Sequence, residues 1–112
     1  MPDMIRKVEK GLEKSKEGFA YIHVFSPCPT GWGYKPEETI EIAKLALETG
    51  LWFLGECRNG EDFTIKKPKE FKPVKEYLSK QKRFRHLGEE DYKLIESYRD
   101  EDWAHLERLL AR

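Results

Sequence analysis

The chain has 112 residues and a mass of 13.3 kDa, which is enough for one small domain. Its 21 Lys and Arg balance its 21 Asp and Glu, which argues against a surface built throughout for nucleic acid. Three Trp, five Tyr and six Phe are too many large apolar residues for a disordered chain, and no apolar run reaches the roughly 18 residues that cross a bilayer. Charges near the N-terminus stand where a signal peptide needs an apolar centre, so the sequence predicts a folded cytoplasmic protein.

The charges are unevenly distributed along the second half of the chain. Residues 66–86 carry nine Lys and Arg against two Glu, and residues 89–107 carry eight Asp and Glu against two Lys and Arg. Three interpretations are open: the two stretches pair with each other, they dock separate partners, or they are simply solvated faces of the protein. Only one Asn and one Gln accompany the many Lys and Glu, a composition typical of proteins from thermophiles.

The first predicted elements are a helix and a strand. Residues 3–16 show a helical apolar stripe, with Asp3 as the N-cap and Gly18 beyond the end. Residues 19–25 (FAYIHVF) are aromatic and β-branched almost throughout, which is typical of a strand covered on both faces in a parallel α/β sheet. We expect His23, its one polar member, to be a hydrogen-bonded interior histidine.

A loop and a second helix follow. Residues 26–36 (SPCPTGWGYKP) contain three Pro and two Gly and are predicted to lack regular structure. Pro36 is well placed to begin a helix that runs to about Thr49 and ends at Gly50. Its main apolar stripe is Ile40, Ala43 and Leu47, widened by Ile42, Leu45 and Ala46.

A hairpin and two further helices complete the pattern. Residues 51–57 and 62–66 are strand candidates joined by Asn59-Gly60, which favours a type I′ turn. A short helix is predicted over residues 73–85, with Val74, Tyr77 and Leu78 on one side. The last helix is predicted over residues 89–112, with a candidate bend at residues 100–102 and an apolar set of Leu94, Ile95, Tyr98, Leu106 and Leu109.

These elements predict an α/β fold in which a partial open sheet carries a strand–loop–helix unit, an Asn-Gly hairpin and C-terminal helices. One interior strand does not make a sheet, so we expect the chain to be part of something larger. We expect a division into residues 1–66, which hold the α/β part, and residues 67–112, a basic linker and helical tail.

Cys28 is the one candidate functional residue that the pattern singles out. It follows directly on the predicted buried strand, between Pro27 and Pro29, at the edge where α/β sheets bind ligands. The chain has only two cysteines, so a four-thiolate site would need ligands from elsewhere. We expect Cys57 to be a small packing residue. The sequence shows no phosphate loop, no histidine metal spacing and no recognisable nucleophile.

Two stretches of the chain resemble one known family. Residues 19–54 (FAYIHVFSPCPTGWGYKPEETIEIAKLALETGLWFL) and residues 72–87 (KPVKEYLSKQKRFRHL) resemble the C-terminal region of the β subunit of pyruvate:ferredoxin oxidoreductase and related 2-oxoacid:ferredoxin oxidoreductases. The resemblance implies a fragment of a thiamine diphosphate-binding fold. It also implies that Cys28, in the motif Pro-Cys-Pro-Thr-Gly-Trp, is one of four cysteine ligands of a [4Fe–4S] cluster. The other three cysteines, and the Gly-Asp-Gly segment that holds thiamine diphosphate and Mg²⁺, are absent from this chain.

The implied function is a part in an oxidoreductase complex of the pyruvate synthase type. Such a complex decarboxylates a 2-oxoacid, pyruvate first among them, forms acyl-coenzyme A and passes electrons to ferredoxin. The implied partners are the remainder of the β subunit and subunits of the α, γ and δ types, with no membrane and no nucleic acid. Alone, the chain is expected to be inactive and to bind neither the cluster nor thiamine diphosphate.

Two alternatives stay open. Trp32 and Trp52 are expected to be packing anchors, but Trp32 could instead lie beside the cluster at a subunit interface. The whole chain could also be a stand-alone interaction module that lost its redox role and works through the basic segment, residues 66–86. In that case Phe71, Tyr77 and Phe84 could stack on nucleic acid bases.

Overall fold

The computed structural model describes residues 2–112 and shows a small α/β domain with one antiparallel pair of strands. In this part of the chain there are five α-helices, of which α2 and α4 are short, and two strands: α1 (Pro2–Lys14), α2 (Pro29–Trp32), α3 (Thr39–Glu48), β1 (Leu54–Arg58), β2 (Asp62–Lys66), α4 (Val74–Leu78) and α5 (Glu89–Leu110). Turns of 3₁₀ helix precede α3 at Pro36–Glu38 and follow α4 at Lys82–Phe84. Among residues 2–112, no helix is both long and apolar enough to cross a membrane.

The core lies between α3 and α4. Seven buried side chains form it: Tyr34, Ile42, Leu45, Ala46, Val74, Tyr77 and Leu78. The inward face predicted for α4 is confirmed. For α3, the residues predicted to widen the apolar stripe (Ile42, Leu45 and Ala46) are buried, whereas Ile40 of the predicted main stripe is 67% exposed. A helix that is apolar over much of its girth does not reveal which part will meet its neighbour, and here α4 covers the part that carries Ile42 and Leu45.

Helix α5 confirms the predicted last helix and is unbroken through residues 100–102. Its contact face differs from the prediction, because Leu94 and Tyr98 are exposed whereas Arg99 and Trp103 are buried. The Trp103 indole N–H donates to the Gly50 carbonyl at 2.8 Å, and Arg99 Nη1 donates to the Thr49 carbonyl at 3.2 Å. These two side chains donate hydrogen bonds to backbone carbonyls just past the end of α3. The face of α5 that carries them therefore contacts the end of α3.

The hairpin matches its prediction closely. Strands β1 and β2 pair antiparallel from Leu54↔Lys66 to Arg58↔Asp62, and Asn59 and Gly60 have φ of 53° and 74°. The first strand starts at Leu54 instead of residue 51. The reason lies in the end of α3, where the Trp52 N–H donates to the Ala46 carbonyl at 3.0 Å and closes the helix.

The N-terminal part of the chain departs most from the predictions. Helix α1 begins at Pro2, so Asp3 lies in its first turn instead of at the N-cap, and it buries no residue completely. The strand predicted over residues 19–25 is wrong: this segment has no regular secondary structure, and Phe19 and Tyr21 are 91% and 73% exposed. A strand exists only by pairing, and within residues 2–112 no backbone group pairs with residues 19–25.

Candidate functional site

Cys28 lies at the start of α2, in a segment that we call the Cys28 turn (residues 28–34). Its extended backbone (φ −119°, ψ 106°) places it at the N-cap position, and Pro29 occupies the first helical position, where a missing N–H costs nothing. Residues 29–32 are therefore helical, and the prediction of no regular structure is wrong for them. The Cys28 side chain is exposed, and its Sγ accepts a hydrogen bond from the Gly31 N–H at 3.4 Å.

The backbone of the Cys28 turn is closed by its own hydrogen bonds. The Trp32 N–H donates to the Cys28 carbonyl at 2.9 Å, and the Pro29 carbonyl accepts from the N–H groups of Gly33 and Tyr34 at 2.9 and 3.2 Å. Gly33 has φ of 74°, a left-handed conformation that favours glycine. The turn thus presents the Cys28 thiol outward from a defined backbone.

Both tryptophans expected to be packing anchors are partly buried and pack against the core. The Trp32 ring lies 5.6 Å from the Phe25 ring, and the Trp52 ring lies 5.2 Å from that same ring, between centroids. His23 is exposed and sets its ring edge-on to Trp52 at 4.8 Å, so the expectation of an interior histidine is wrong. His23 and Phe25 thus lie against the tryptophan rings instead of inside a sheet.

The described residues do not surround Cys28 with further candidate metal ligands. Over residues 2–112, no group of three or more His, Cys, Asp or Glu side chains could hold a metal ion. Cys57 is a free, exposed thiol on β1, opposite Phe63, so the expectation that it packs as a small apolar residue is wrong. The chain's two cysteines cannot by themselves complete a site of four thiolates, so a [4Fe–4S] cluster bound at Cys28 would need further ligands from outside this part of the chain.

The basic segment, residues 66–86, is partly neutralised by acidic neighbours. Two of its lysines pair with α5, as Lys67–Glu107 and Lys75–Glu89, and two pair with the α3 region, as Lys72–Glu48 and Lys80–Glu41. The hydrogen bond that Lys75 donates to Glu89 raises the pKa of Lys75, and the hydrogen bond that Lys72 donates to Glu48 raises the pKa of Lys72. Tyr77 is 6% exposed, so the idea that it stacks on nucleic acid bases is wrong.

Two residues beside the turn, Arg83 and Gln81, were not predicted from the sequence to have a functional role. Arg83 lies over Trp32, and Gln81 is buried behind it. The only signal in the sequence is that Gln81 is the single glutamine of the chain, which gives no hint of its contact with Arg83. Both are far from Cys28 in sequence, and only the packing of α4 brings them to the turn.

Comparison with known proteins finds closely similar sequences, although no protein-family model matches the chain. It is 54% identical over 99 residues to the pyruvate synthase subunit PorB of Methanocaldococcus jannaschii, covering 88% of the chain and 33% of that protein. It is 50% identical over 110 residues to PorB of Methanosarcina barkeri, covering 94% and 36%. It is 39% identical over 110 residues to the ketoisovalerate oxidoreductase subunit VorB of Pyrococcus furiosus, covering 96% and 34%. The chain spans about a third of the length of the curated relatives it matches.

Proposed function

Because the chain belongs to the family of pyruvate synthase PorB and ketoisovalerate oxidoreductase VorB subunits, we propose that it works as the C-terminal segment of a 2-oxoacid:ferredoxin oxidoreductase β subunit. The complete enzyme would convert a 2-oxoacid to acyl-coenzyme A and pass the electrons to ferredoxin in the cytoplasm. Pyruvate is the proposed 2-oxoacid, since the 54% identity to a PorB exceeds the 39% identity to a VorB. The single observation that carries the proposal is this extended identity across most of the chain.

Cys28 is the residue that we propose as a ligand of the enzyme's [4Fe–4S] cluster. Three observations support it: the thiol is exposed, its backbone is closed by hydrogen bonds, and the Gly31 N–H points at its sulfur. An N–H donor to a ligand sulfur is one of the means by which a protein tunes a cluster's potential. The described residues form no group of three or more metal ligands, and we propose that the other three thiolates come from the rest of the β subunit.

The remaining cofactors are proposed for the complete enzyme and not for this chain alone. Thiamine diphosphate, when bound there with Mg²⁺, supplies carbanion stabilisation, and the cluster supplies one-electron transfer. What this chain contributes is the thiol of Cys28 at a fixed position and surface for its neighbours. We propose that residues 1–66 complete the thiamine diphosphate-binding α/β domain and that residues 67–112 are a linker and helical tail.

The remainder of the β subunit is the nearest proposed partner, ahead of subunits of the α, γ and δ types. The apolar stripe of α1 is largely exposed, with Ile5 at 53% and Leu12 at 64%, and residues 19–25 expose large apolar side chains beside it. Unpaired backbone and apolar side chains in one segment are what an interior strand presents before its neighbours are in place. This surface supports a role inside a larger subunit.

The iron content of the isolated chain and the activity of the assembled enzyme test the proposal. The isolated 112-residue chain, reconstituted anaerobically with iron and sulfide, should hold no stable cluster, because one thiolate cannot hold a site of four. The same chain produced together with the part of a PorB subunit that it does not span, and with the partner subunits, should yield pyruvate-dependent ferredoxin reduction. About four irons per isolated chain, or an assembled complex in which this chain can be omitted without loss of turnover, would contradict the proposal.

A further inference from the structure

The Cys28 turn is held from outside by the residues around Lys82–Phe84. The Lys82 N–H donates to the Gly33 carbonyl at 3.0 Å. The guanidinium carbon of Arg83 lies 3.8 Å from the centre of the Trp32 ring, well inside the range of a cation–π contact. The first contact is a backbone hydrogen bond and the second is a side-chain cation–π contact. Together they hold the turn at two adjacent residues, Gly33 and Trp32.

Arg83 is itself fixed from the side of the core. Its Nε donates to Gln81 Oε1 at 2.7 Å, and its Nη2 donates to the Tyr77 hydroxyl at 3.4 Å. Gln81 is 1% exposed, and its amide nitrogen donates to the Tyr77 carbonyl at 2.9 Å. Reversing the Gln81 amide would set its donors against the guanidinium, so the two bonds select one orientation. A buried amide of fixed orientation therefore sets the plane of the guanidinium over Trp32.

We infer that Arg83 is a positioning residue for Cys28, because by stacking on Trp32 it sets the direction in which the Cys28 thiol is presented. The inference rests on the proposed function, since the direction of the Cys28 thiol matters only if Cys28 is a ligand of the cluster. The connection runs through the backbone, because the Trp32 N–H donates to the Cys28 carbonyl. When Trp32 loses its contact with Arg83, the helical turn that begins at Cys28 becomes looser. A looser ligand changes the metal's surroundings without removing a ligand.

Amide hydrogen exchange on the full 112-residue chain tests the first half of this inference. Arg83→Ala should raise the exchange rates of the Trp32 and Gly33 amides about tenfold, while the amides of α3 keep theirs. Arg83→Lys keeps the charge but loses the flat stacking group and the bond to Gln81, so it should behave like Arg83→Ala. Arg85→Ala is the matched control, because Arg85 is exposed and neighbours the same 3₁₀ turn. Equal exchange in Arg83→Ala and Arg85→Ala would overturn the inference.

The reduction potential of the cluster in the assembled enzyme tests the second half. Arg83→Ala and Arg83→Lys should keep the iron and shift the potential alike, whereas an effect of charge alone would appear in Arg83→Ala and not in Arg83→Lys. Iron that is lost in Cys28→Ser, together with a wild-type potential in both Arg83 variants, would overturn this inference and leave the proposed function standing. Wild-type iron in Cys28→Ser would overturn this inference together with the proposed ligand role of Cys28.

Discussion

Gly33 is the residue at which the Cys28 turn contacts the Lys82–Phe84 segment too closely for a side chain to fit between them. Its φ of 74° lies in the left-handed region, and a Cβ added there would lie 2.6 Å from the Lys82 Cβ. Gly60 has the same φ of 74°, but a Cβ there would meet nothing within 4 Å. The pair separates the two reasons for which a glycine can be required, namely backbone conformation and close approach.

Alanine substitution at these two glycines should therefore differ in effect. Gly60→Ala should lower the free energy of unfolding by about 1–2 kcal/mol, the cost of a left-handed alanine. Gly33→Ala should lower it by a further ~1–3 kcal/mol, because Lys82 must also move. Urea unfolding followed by far-UV circular dichroism measures both. Equal losses in the two variants would contradict the close contact between Gly33 and Lys82.

At the scale of elements, the sequence predicts well those features that are decided locally. Asn59-Gly60 determines the hairpin turn, and the helices α3 and α5 appear close to their predicted bounds because propensity and caps act over a few residues. The strand over residues 19–25 and the contact face of α5 depend on partners distant in sequence. The strand prediction is wrong, and the face prediction holds only in part, since Ile95 packs against the core whereas Leu94 and Tyr98 are exposed. The outward thiol of Cys28 follows from its motif, but the contact of Arg83 with Trp32 could not be predicted, because it depends on how α4 packs.

Residues 19–25 should change their exchange behaviour with assembly. In the isolated chain their amides should exchange freely, since no backbone partner protects them there, and Ile22→Ala should cost less than about 1 kcal/mol at a position 39% exposed. In the assembled enzyme the same amides should be protected, and Ile22→Ala should then cost about 2–5 kcal/mol. Hydrogen exchange with mass spectrometry compares the two states. Free exchange of this segment in the assembled enzyme would show that it is not a strand there either.

The contact of α1 with the hairpin depends on Glu56. The hydrogen bond from Lys10 at 2.9 Å, with a second from Arg6, lowers the pKa of Glu56 below its ordinary value of 4.5 despite some desolvation. A carboxylate with a lowered pKa stabilises the folded form fully above its ordinary value and loses that contribution as the pH falls through the lowered pKa. The docking of α1 should therefore weaken in acid.

NMR chemical shifts of the α1 amides, followed through an acid titration, measure this weakening. Glu56→Gln should already show the weakened docking at neutral pH, should not respond to acid through this site, and should lose about 0.5–1 kcal/mol of stability. High salt should reduce the difference between the two proteins, because the partners are partly exposed. A Glu56 midpoint above its ordinary value would contradict the assignment of these ion pairs.

The molecule as a whole is more extended than its length requires. Its radius of gyration is 16.0 Å and its extents are 47 × 32 × 21 Å, whereas a compact chain of this length has a radius near ~13 Å. Helix α1 and residues 19–25 carry much of the exposed apolar surface, and the core lies between α3 and α4. This shape agrees with a chain that spans about a third of its relatives and with the proposal that the rest of a β subunit covers its N-terminal part.

The iron content of the assembled enzyme, measured with either cysteine replaced, tests whether Cys28 is a ligand of the [4Fe–4S] cluster. Cys28→Ser keeps nearly the size of the side chain but offers iron a far weaker ligand, and Cys57→Ser is the matched control on the hairpin. Cys28→Ser should lower cluster occupancy and ferredoxin-linked turnover while thiamine diphosphate still binds, and Cys57→Ser should change none of these. Wild-type iron and turnover in Cys28→Ser, with loss of both in Cys57→Ser, would show that the wrong cysteine has been assigned.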